Sequence, residues 1–243
     1  DASATGIGTI DSTGSVNTDA GFSIISYTGN GSAGATIGHG LGVTPKMFIV
    51  KSRSLAQDFT VYNEYIGNTN GLFLNNTDAS TGDSSYFNNT SPTSSVFTVG
   101  TNARGNTNGA TYIAYCFNDV QGYSKFGAYT GNGNADGTFV YTGFKPAFVM
   151  IKRTDTVNDW IMLDNKRNNY SLPTTQDNFN VVNSRLLANT SGAEAYTNLL
   201  DFVSNGFKMR ATYGGVNSAN NFIYMAFAEA PLVGTNNIPA NAR

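Results

Sequence analysis

Short apolar runs, separated by turns rich in glycine, asparagine and serine, recur along the whole chain. The runs at residues 46–51 and 147–152 are almost continuously apolar, which predicts strands buried on both faces. Residues 96–99 and 207–210 alternate larger apolar and polar side chains, which predicts half-buried strands. The pattern therefore predicts an all-β protein with six or seven short strands in each half, an arrangement typical of an antiparallel sandwich.

The chain repeats its own sequence at an interval of about one hundred residues,. The motif Tyr-Thr-Gly-Asn-Gly at 27–31 recurs at 129–133, and an aromatic run at 112–117 recurs at 222–227. The matches keep the same order in both copies, so we predict two tandem units. Each Asn-Gly pair predicts a hairpin turn, because this dipeptide tolerates positive φ.

We divide the chain into four segments. Residues 1–20 are expected to form an extended linker, and residues 231–243, which carry two prolines, an irregular tail,. Residues 21–119 and 120–230 are expected to form two β-sandwich repeats of the jelly-roll or lectin-like kind. The repeats fold either as separate sandwiches or as one pseudo-symmetric unit. Only residues 183–195 are expected to contain a helical turn.

Composition narrows the function classes. Charged residues make up 12% of the chain and the net charge is -2, whereas 31 asparagines and 27 glycines supply much of the polarity. The chain is not basic, which argues against a nucleic-acid partner. It contains no apolar run of about 18 residues, so we expect no membrane insertion by a helix. One cysteine and one histidine cannot build an internal disulfide or a usual zinc site, and we predict neither a metal nor a cofactor,.

Two lysine and two aspartate positions are repeated. Lys51 and Lys152 end equivalent apolar runs, and Asp58 and Asp159 each follow seven residues later. We interpret them as structural Lys–Asp pairs, or as lysines whose stems cover apolar surface. An alternative is a covalent isopeptide crosslink between such a lysine and an aspartate or asparagine.

Aromatic rings beside amides and carboxylates suit carbohydrate, which presents both apolar faces and hydroxyl groups. One candidate cluster is Trp160 with Asn158 and Asp159, and another is Tyr65 within an asparagine-rich segment. The competing interpretation is structural, because Trp160 occupies the repeat position of Phe59 and would then lie in the core.

No residues are predicted to be catalytic. Cys116 lies within an apolar strand, which favours an inert buried thiol. His39 lies in a glycine-rich loop without a nearby nucleophile motif. The loop around Asp136 lacks the distant glutamate of a calcium loop and is interpreted as a turn. With 16 acidic residues a hydrolase pair is conceivable, but no spacing indicates one,.

The matched segments resemble a module of virion structural proteins from marine tailed phages, which are usually described as tail-fibre-like. The resemblance extends from residue 21 to the last residue and is carried by residues 21–24, 27–31, 38–42, 112–117, 122–127, 144–154, 224–231 and 240–243. The module commonly stands at the C-terminus of a longer protein, often downstream of a lectin-like sandwich. The family provides no functional residues to transfer.

The resemblance implies a non-enzymatic structural protein on the virion surface, as an exposed tail-fibre or appendage module or as a capsid decoration. Expected partners are other virion proteins, further copies of the same chain and host-surface glycans. The alternatives are a lectin-like, glycan-binding receptor-recognition domain and, ranked lower, a tail-associated polysaccharide depolymerase. Low charge suits such a surface, because salt screens ion pairs and leaves short-range hydrogen bonds in place.

Overall fold

A computed structural model of the chain describes residues 2–3, 6–167 and 181–229. The chain divides into two compact units, residues 1–119 and 120–243. The boundary between them coincides with the boundary that the sequence repeat predicts. The predicted tail at 231–243 lies outside the described residues.

Unit 1 contains, among its described residues, ten strands and one short helix. In chain order they are β1 (Ala2–Ser3), β2 (Ser12–Asn17), β3 (Phe22–Thr28), β4 (Ala35–Gly38), β5 (Met47–Ser52), β6 (Thr60–Asn63), β7 (Asn70–Phe73), β8 (Thr81–Gly82), α1 (Ser84–Phe87), β9 (Val96–Val99) and β10 (Thr111–Phe117). One antiparallel sheet has the order β1-β2-β3-β10-β5-β6-β7-β8, and β4 pairs with β9 in a second, two-stranded sheet.

The core of unit 1 lies between these two sheets. Ile25 and Tyr112 from the large sheet and Ile37 and Phe97 from the small sheet belong to one buried cluster. Inward-facing apolar residues from two sheets that meet in one core define a β-sandwich. The predicted strand at 46–51 is found as β5, whose only partly exposed residue is Lys51.

Unit 2 contains eight strands and one short helix among its described residues. They are β11 (Ser124–Thr130), β12 (Phe139–Tyr141), β13 (Pro146–Arg153), β14 (Trp160–Asp164), β15 (Val181–Leu187), β16 (Ala195–Val203), β17 (Gly206–Met209), α2 (Gly214–Asn217) and β18 (Asn221–Ala228). All eight strands form one antiparallel sheet in the order β11-β18-β13-β14-β15-β16-β17-β12.

The pairing order is largely shared between the units. In unit 1, β3, β10, β5, β6 and β7 follow one another across the large sheet, as β11, β18, β13, β14 and β15 do in unit 2. The small pair β4–β9 corresponds to β12–β17. The units differ at β16, which pairs with both β15 and β17 and so links the two layers of unit 2 into one sheet.

The all-β sandwich prediction is confirmed, and several local predictions are wrong. Residues 183–195 were expected to contain the only helical turn, but residues 183–187 complete strand β15, because pairing with β14 and β16 overrides a weak local preference,. The short helices that are found, α1 and α2, lie elsewhere. The expected linker at 1–20 is also incorrect for residues 12–17. These residues form β2 and pair with β3 along its length.

The two Asn-Gly pairs do not close hairpins, although each occupies a turn with a positive-φ glycine, Gly31 at +73° and Gly133 at +68°. The strands on either side of each turn are not hydrogen-bonded to each other: β3 pairs with β2 and β10, whereas β4 pairs with β9. In unit 2, β11 pairs with β18 and β12 with β17. Each turn therefore carries the chain from one layer of the sandwich to the other.

Candidate functional site

The turn at residues 27–31 is held by a fully buried asparagine, Asn106. The Asn106 Oδ1 atom accepts hydrogen bonds from the main-chain nitrogens of Asn30, at 2.9 Å, and Gly31, at 3.3 Å. Its Nδ2 group donates to the carbonyl oxygens of Ser32 and Gly100, both at 2.8 Å. Because the amide has partners on both its oxygen and its nitrogen, its burial leaves no orphan polar atom.

Unit 2 has the same arrangement around Asn217, which is also fully buried. Its Oδ1 atom accepts from the main-chain nitrogen of Asn132 at 3.1 Å. Its Nδ2 group donates to the carbonyl oxygens of Asn134, at 2.7 Å, and Ala211, at 2.9 Å. We call Asn106 and Asn217 the turn-clamp asparagines.

The tyrosine that opens each repeated motif has an equivalent role in both units. The Tyr27 hydroxyl donates to the Gly105 carbonyl at 2.8 Å, and the Tyr129 hydroxyl donates to the Val216 carbonyl at 2.6 Å. Burial raises the pKa of both tyrosines well above the usual value, so both stay protonated donors. Each ring stacks on the aromatic strand, on Tyr112 in unit 1 and Phe222 in unit 2.

The repeated lysines bind main-chain carbonyls. The Lys51 Nζ atom donates to the Gln57 carbonyl, and the Lys152 Nζ atom donates to the Asn158 carbonyl at 2.5 Å. In each case the acceptor residue directly precedes the repeated aspartate. Lys51 also lies over the Phe59 ring, 5.1 Å from its centroid. The lysines therefore fix the loop that leads into the next strand, β6 or β14.

The repeated aspartates each hold an asparagine that the sequence reasoning missed. Asn75 Nδ2 donates to Asp58 at 2.9 Å, and its Oδ1 accepts from the Phe59 main-chain nitrogen at 2.8 Å. In unit 2, Asn189 bridges the Asp159 carboxylate, at 2.8 Å, and the Trp160 main-chain nitrogen, at 2.9 Å. The aspartates thereby orient an asparagine side chain that accepts a main-chain hydrogen bond at the start of the next strand.

The contacts of Lys51 do not include a direct ion pair with Asp58. The ion-pair partner of Asp58 is Arg104, whose Nη2 atom lies 2.8 Å from Asp58 Oδ2. The hydrogen bond from Asn75, followed by that from Arg104, lowers the pKa of Asp58 below its usual value, and the charge of Lys51 adds to this lowering. In unit 2, Asp159 binds Asn189 and Lys152 binds the Asn158 carbonyl. The surroundings of Asp159 therefore resemble those of Asp58, but no described arginine pairs with it.

The proposed sugar cluster in unit 2 does not present an aromatic surface. Trp160 is 2% exposed, so its ring is not available for stacking on a ligand. Asn158 supplies the carbonyl for Lys152, and its Oδ1 atom accepts from the Asp159 main-chain nitrogen at 3.0 Å. Tyr65, by contrast, is 53% exposed in the loop that follows β6.

The remaining titratable candidates have structural surroundings. His39 is buried; its Nε2 atom lies 3.1 Å from the Thr93 carbonyl, and its Nδ1 atom accepts from the Leu41 main-chain nitrogen at 3.2 Å. Burial lowers the pKa of His39, and it raises the pKa of the Cys116 thiol to about 12. Asp136 pairs with Lys208 at 2.7 Å.

Neither a metal site nor a membrane-spanning helix is found in the described ranges. Residues 2–3, 6–167 and 181–229 contain no group of three or more histidine, cysteine, aspartate or glutamate side chains placed to hold a metal ion. The same ranges contain no helix with the length and apolar character needed to cross a bilayer.

The protein is thus an all-β sandwich in which the repeated polar residues hold turns and the first residues of strands in place. The chain belongs to the family described as Domain of unknown function (DUF7483), whose model matches residues 1–231. No curated protein and no solved structure matches the chain.

Sequence reasoning identified the Tyr-Thr-Gly-Asn-Gly motif but missed the turn-clamp asparagines that hold it. A signal was present: Asn106 stands six residues before Tyr112, and Asn217 stands five residues before Phe222, the equivalent strand residue. The one-residue difference in spacing hides this match when the repeats are compared at a constant offset.

Proposed function

We propose that this chain is a non-enzymatic structural module of a tailed-phage virion, exposed as a tail-fibre or appendage domain or as a capsid decoration. The proposal starts from the resemblance of the repeated segments to such modules. Other virion proteins and further copies of the chain would be its partners, and the particle surface its location.

The observation that supports this function best is the duplicated clamp. Both copies of the motif use a fully buried asparagine, Asn106 or Asn217, to tie a layer-crossing turn to the last loop of the unit. A buried, fully bonded amide favours one rigid conformation. Because such hydrogen bonds are short-range and shielded from ions, salt weakens them far less than exposed ion pairs. Rigid units of this kind suit a particle exposed to a saline medium.

The test is to locate the chain on purified particles of a phage that encodes it. Gold-labelled antibodies raised against the chain are expected to decorate a tail appendage or the capsid surface in electron micrographs. Pre-immune serum on the same particles is the control. If the chain remains in the particle-free fraction and the particles carry no label, the proposal is wrong.

A second candidate, glycan binding, is supported by Tyr65. The exposed Tyr65 directly follows Glu64, which pairs with Lys46 at 2.6 Å between Nζ and Oε2, and Asn68 and Asn70 follow in the same segment. Such a ring with polar neighbours can stack on a sugar and bind its hydroxyl groups.

On a glycan array we expect the unmodified chain to give a signal that Tyr65→Ala removes. Tyr196→Ala, at another exposed tyrosine, is the matched control and should keep the signal. An array without signal for the unmodified chain, or a full signal with Tyr65→Ala, would exclude this role for Tyr65.

A further inference from the structure

In unit 1, the edge of the small sheet that β4 forms is covered by residues 9–12 of the same chain. In the β4–β9 pair, the main-chain groups of Thr36 and Gly38 point away from β9, because antiparallel hydrogen bonding alternates along a strand,. Thr36 O accepts from the main-chain nitrogens of Thr9 and Ile10, both at 3.0 Å, and Thr36 N donates to Thr9 Oγ1 at 2.9 Å. Ser12 Oγ donates to the Gly38 carbonyl at 3.0 Å.

The equivalent edge in unit 2 is strand β12. Met209 N donates to the Thr138 carbonyl and Thr142 N donates to the Asn205 carbonyl, both at 3.0 Å. These bonds place residues 138, 140 and 142 on the ladder with β17. The main-chain groups of Phe139 and Tyr141 therefore point outward, as those of Thr36 and Gly38 do in unit 1.

Within residues 2–3, 6–167 and 181–229, no segment pairs with this edge of β12. The strand also presents aromatic side chains: Phe139 is 45% exposed and Tyr141 65% exposed, whereas Val140 between them is buried. An open edge with exposed aromatic rings is a template for pairing with another strand. In unit 1 the corresponding edge, that of β4, is covered by residues 9–12.

We propose that β12 pairs antiparallel with β12 of a second copy of this chain, about a two-fold axis that passes next to Val140. In this register Phe139 lies opposite Tyr141 of the second copy. Their outward main-chain groups then form four hydrogen bonds, two for each Phe139–Tyr141 pair. The two aromatic cross-strand pairs cover the rings that are exposed in the single chain.

Self-complementarity favours a second copy over an unrelated strand. A two-fold contact requires that the same patch match itself when reversed. Asp136, which also pairs with Lys208 of its own chain at 2.7 Å, and Lys145 are both exposed and lie beyond opposite ends of β12, so antiparallel pairing brings Lys145 of one copy towards the Asp136 carboxylate of the other as a second cation. The net charge of -2 adds little repulsion between copies,. This inference stands apart from the virion proposal, because it needs only the geometry of β12.

The test is sedimentation of the full chain over a range of concentrations. We expect a reversible dimer, with a modest affinity because the shared strand is short. The double variant Phe139→Lys with Tyr141→Lys places like charges at the contact and should raise the dimer dissociation constant by about tenfold or more. Tyr196→Lys, at a tyrosine on β16 that is about as exposed as Phe139, is the matched control and should leave the dimer unchanged.

A second double variant distinguishes a weakened dimer contact from misfolding of the chain. Phe139→Thr with Tyr141→Thr keeps residues that favour strands and removes only the rings, so it should remain folded and still weaken the dimer. A chain that stays monomeric at every concentration would overturn the proposal, as would a dimer that both double variants leave intact. If a dimer forms only after residues 231–243 are deleted, the chain's own C-terminal segment covers β12 and the proposal is likewise wrong.

Discussion

Replacing Asn106 with alanine is expected to lower the free energy of unfolding of unit 1 by about 3–5 kcal/mol, because four main-chain groups lose the hydrogen bond to its side chain at once, and only the Ser32 carbonyl keeps another, from Ala35 N at 3.3 Å,. Those groups are the nitrogens of Asn30 and Gly31 and the carbonyls of Ser32 and Gly100. A buried polar group without a partner costs its full desolvation energy, and water regains access only to those near the surface. Urea denaturation followed by circular dichroism measures the change.

Asn108 provides the matched control for this substitution. It stands in the same loop, two residues further along, and its side chain is exposed. Asn108→Ala is therefore expected to change the unfolding free energy by less than about 0.5 kcal/mol. If the two alanine variants are equally stable, the clamp does not hold the turn. The equivalent change in unit 2, Asn217→Ala, should reproduce the loss seen with Asn106→Ala.

Replacing Gly131 with alanine is expected to destabilise unit 2 by about 3 kcal/mol through overpacking. A Cβ atom at this position would lie 2.1 Å from the Ser218 carbonyl oxygen and 2.9 Å from the Asn217 carbonyl carbon. Both are main-chain atoms, so no side-chain rotation relieves the clash. Any shift of the turn would also stretch the 3.0 Å hydrogen bond from Gly131 N to the Asn220 carbonyl.

Trp160 provides a local reporter for this experiment, because it is the one tryptophan of the chain and is buried in unit 2. Its fluorescence transition in urea is expected to move to lower denaturant in Gly131→Ala. Gly214→Ala is the control, since a Cβ atom there meets nothing within 4 Å. That variant should be unchanged or more stable by up to about 1 kcal/mol. Equal transitions for both variants would show that the close approach at Gly131 is not limiting.

The same close approach is duplicated at Gly29. A Cβ atom there would lie 2.5 Å from the Thr107 carbonyl oxygen. The first glycine of the motif is thus required by contact with the segment after the clamp, and the second, Gly31 or Gly133, by its positive φ,. The two glycines of this five-residue motif are therefore required for two different physical reasons.

Several features of the site were open to prediction because they depend on local chemistry. The lysines at 51 and 152 were predicted to be structural, and each binds the loop that precedes a strand. The acceptor of Lys51 was mispredicted, because spacing along the chain placed Asp58 nearby but did not show which way its carboxylate turns. In unit 1 the Asp58 carboxylate turns towards Arg104, which lies 46 residues away in the sequence.

The amino-acid pattern alone was sufficient for the all-β class, the two units and most of the strands. Burial of apolar runs and the permissive backbone of Asn-Gly act over a few residues, so they can be read without a structure. Which strands pair is different, because β contacts join residues far apart in the chain. The tertiary structure therefore decided that the Asn-Gly turns cross between layers, that residues 12–17 form β2, and that Asn106 and Asn217 hold the turns. It also decided that β12 is left with an open edge, because no described strand of the chain reaches it.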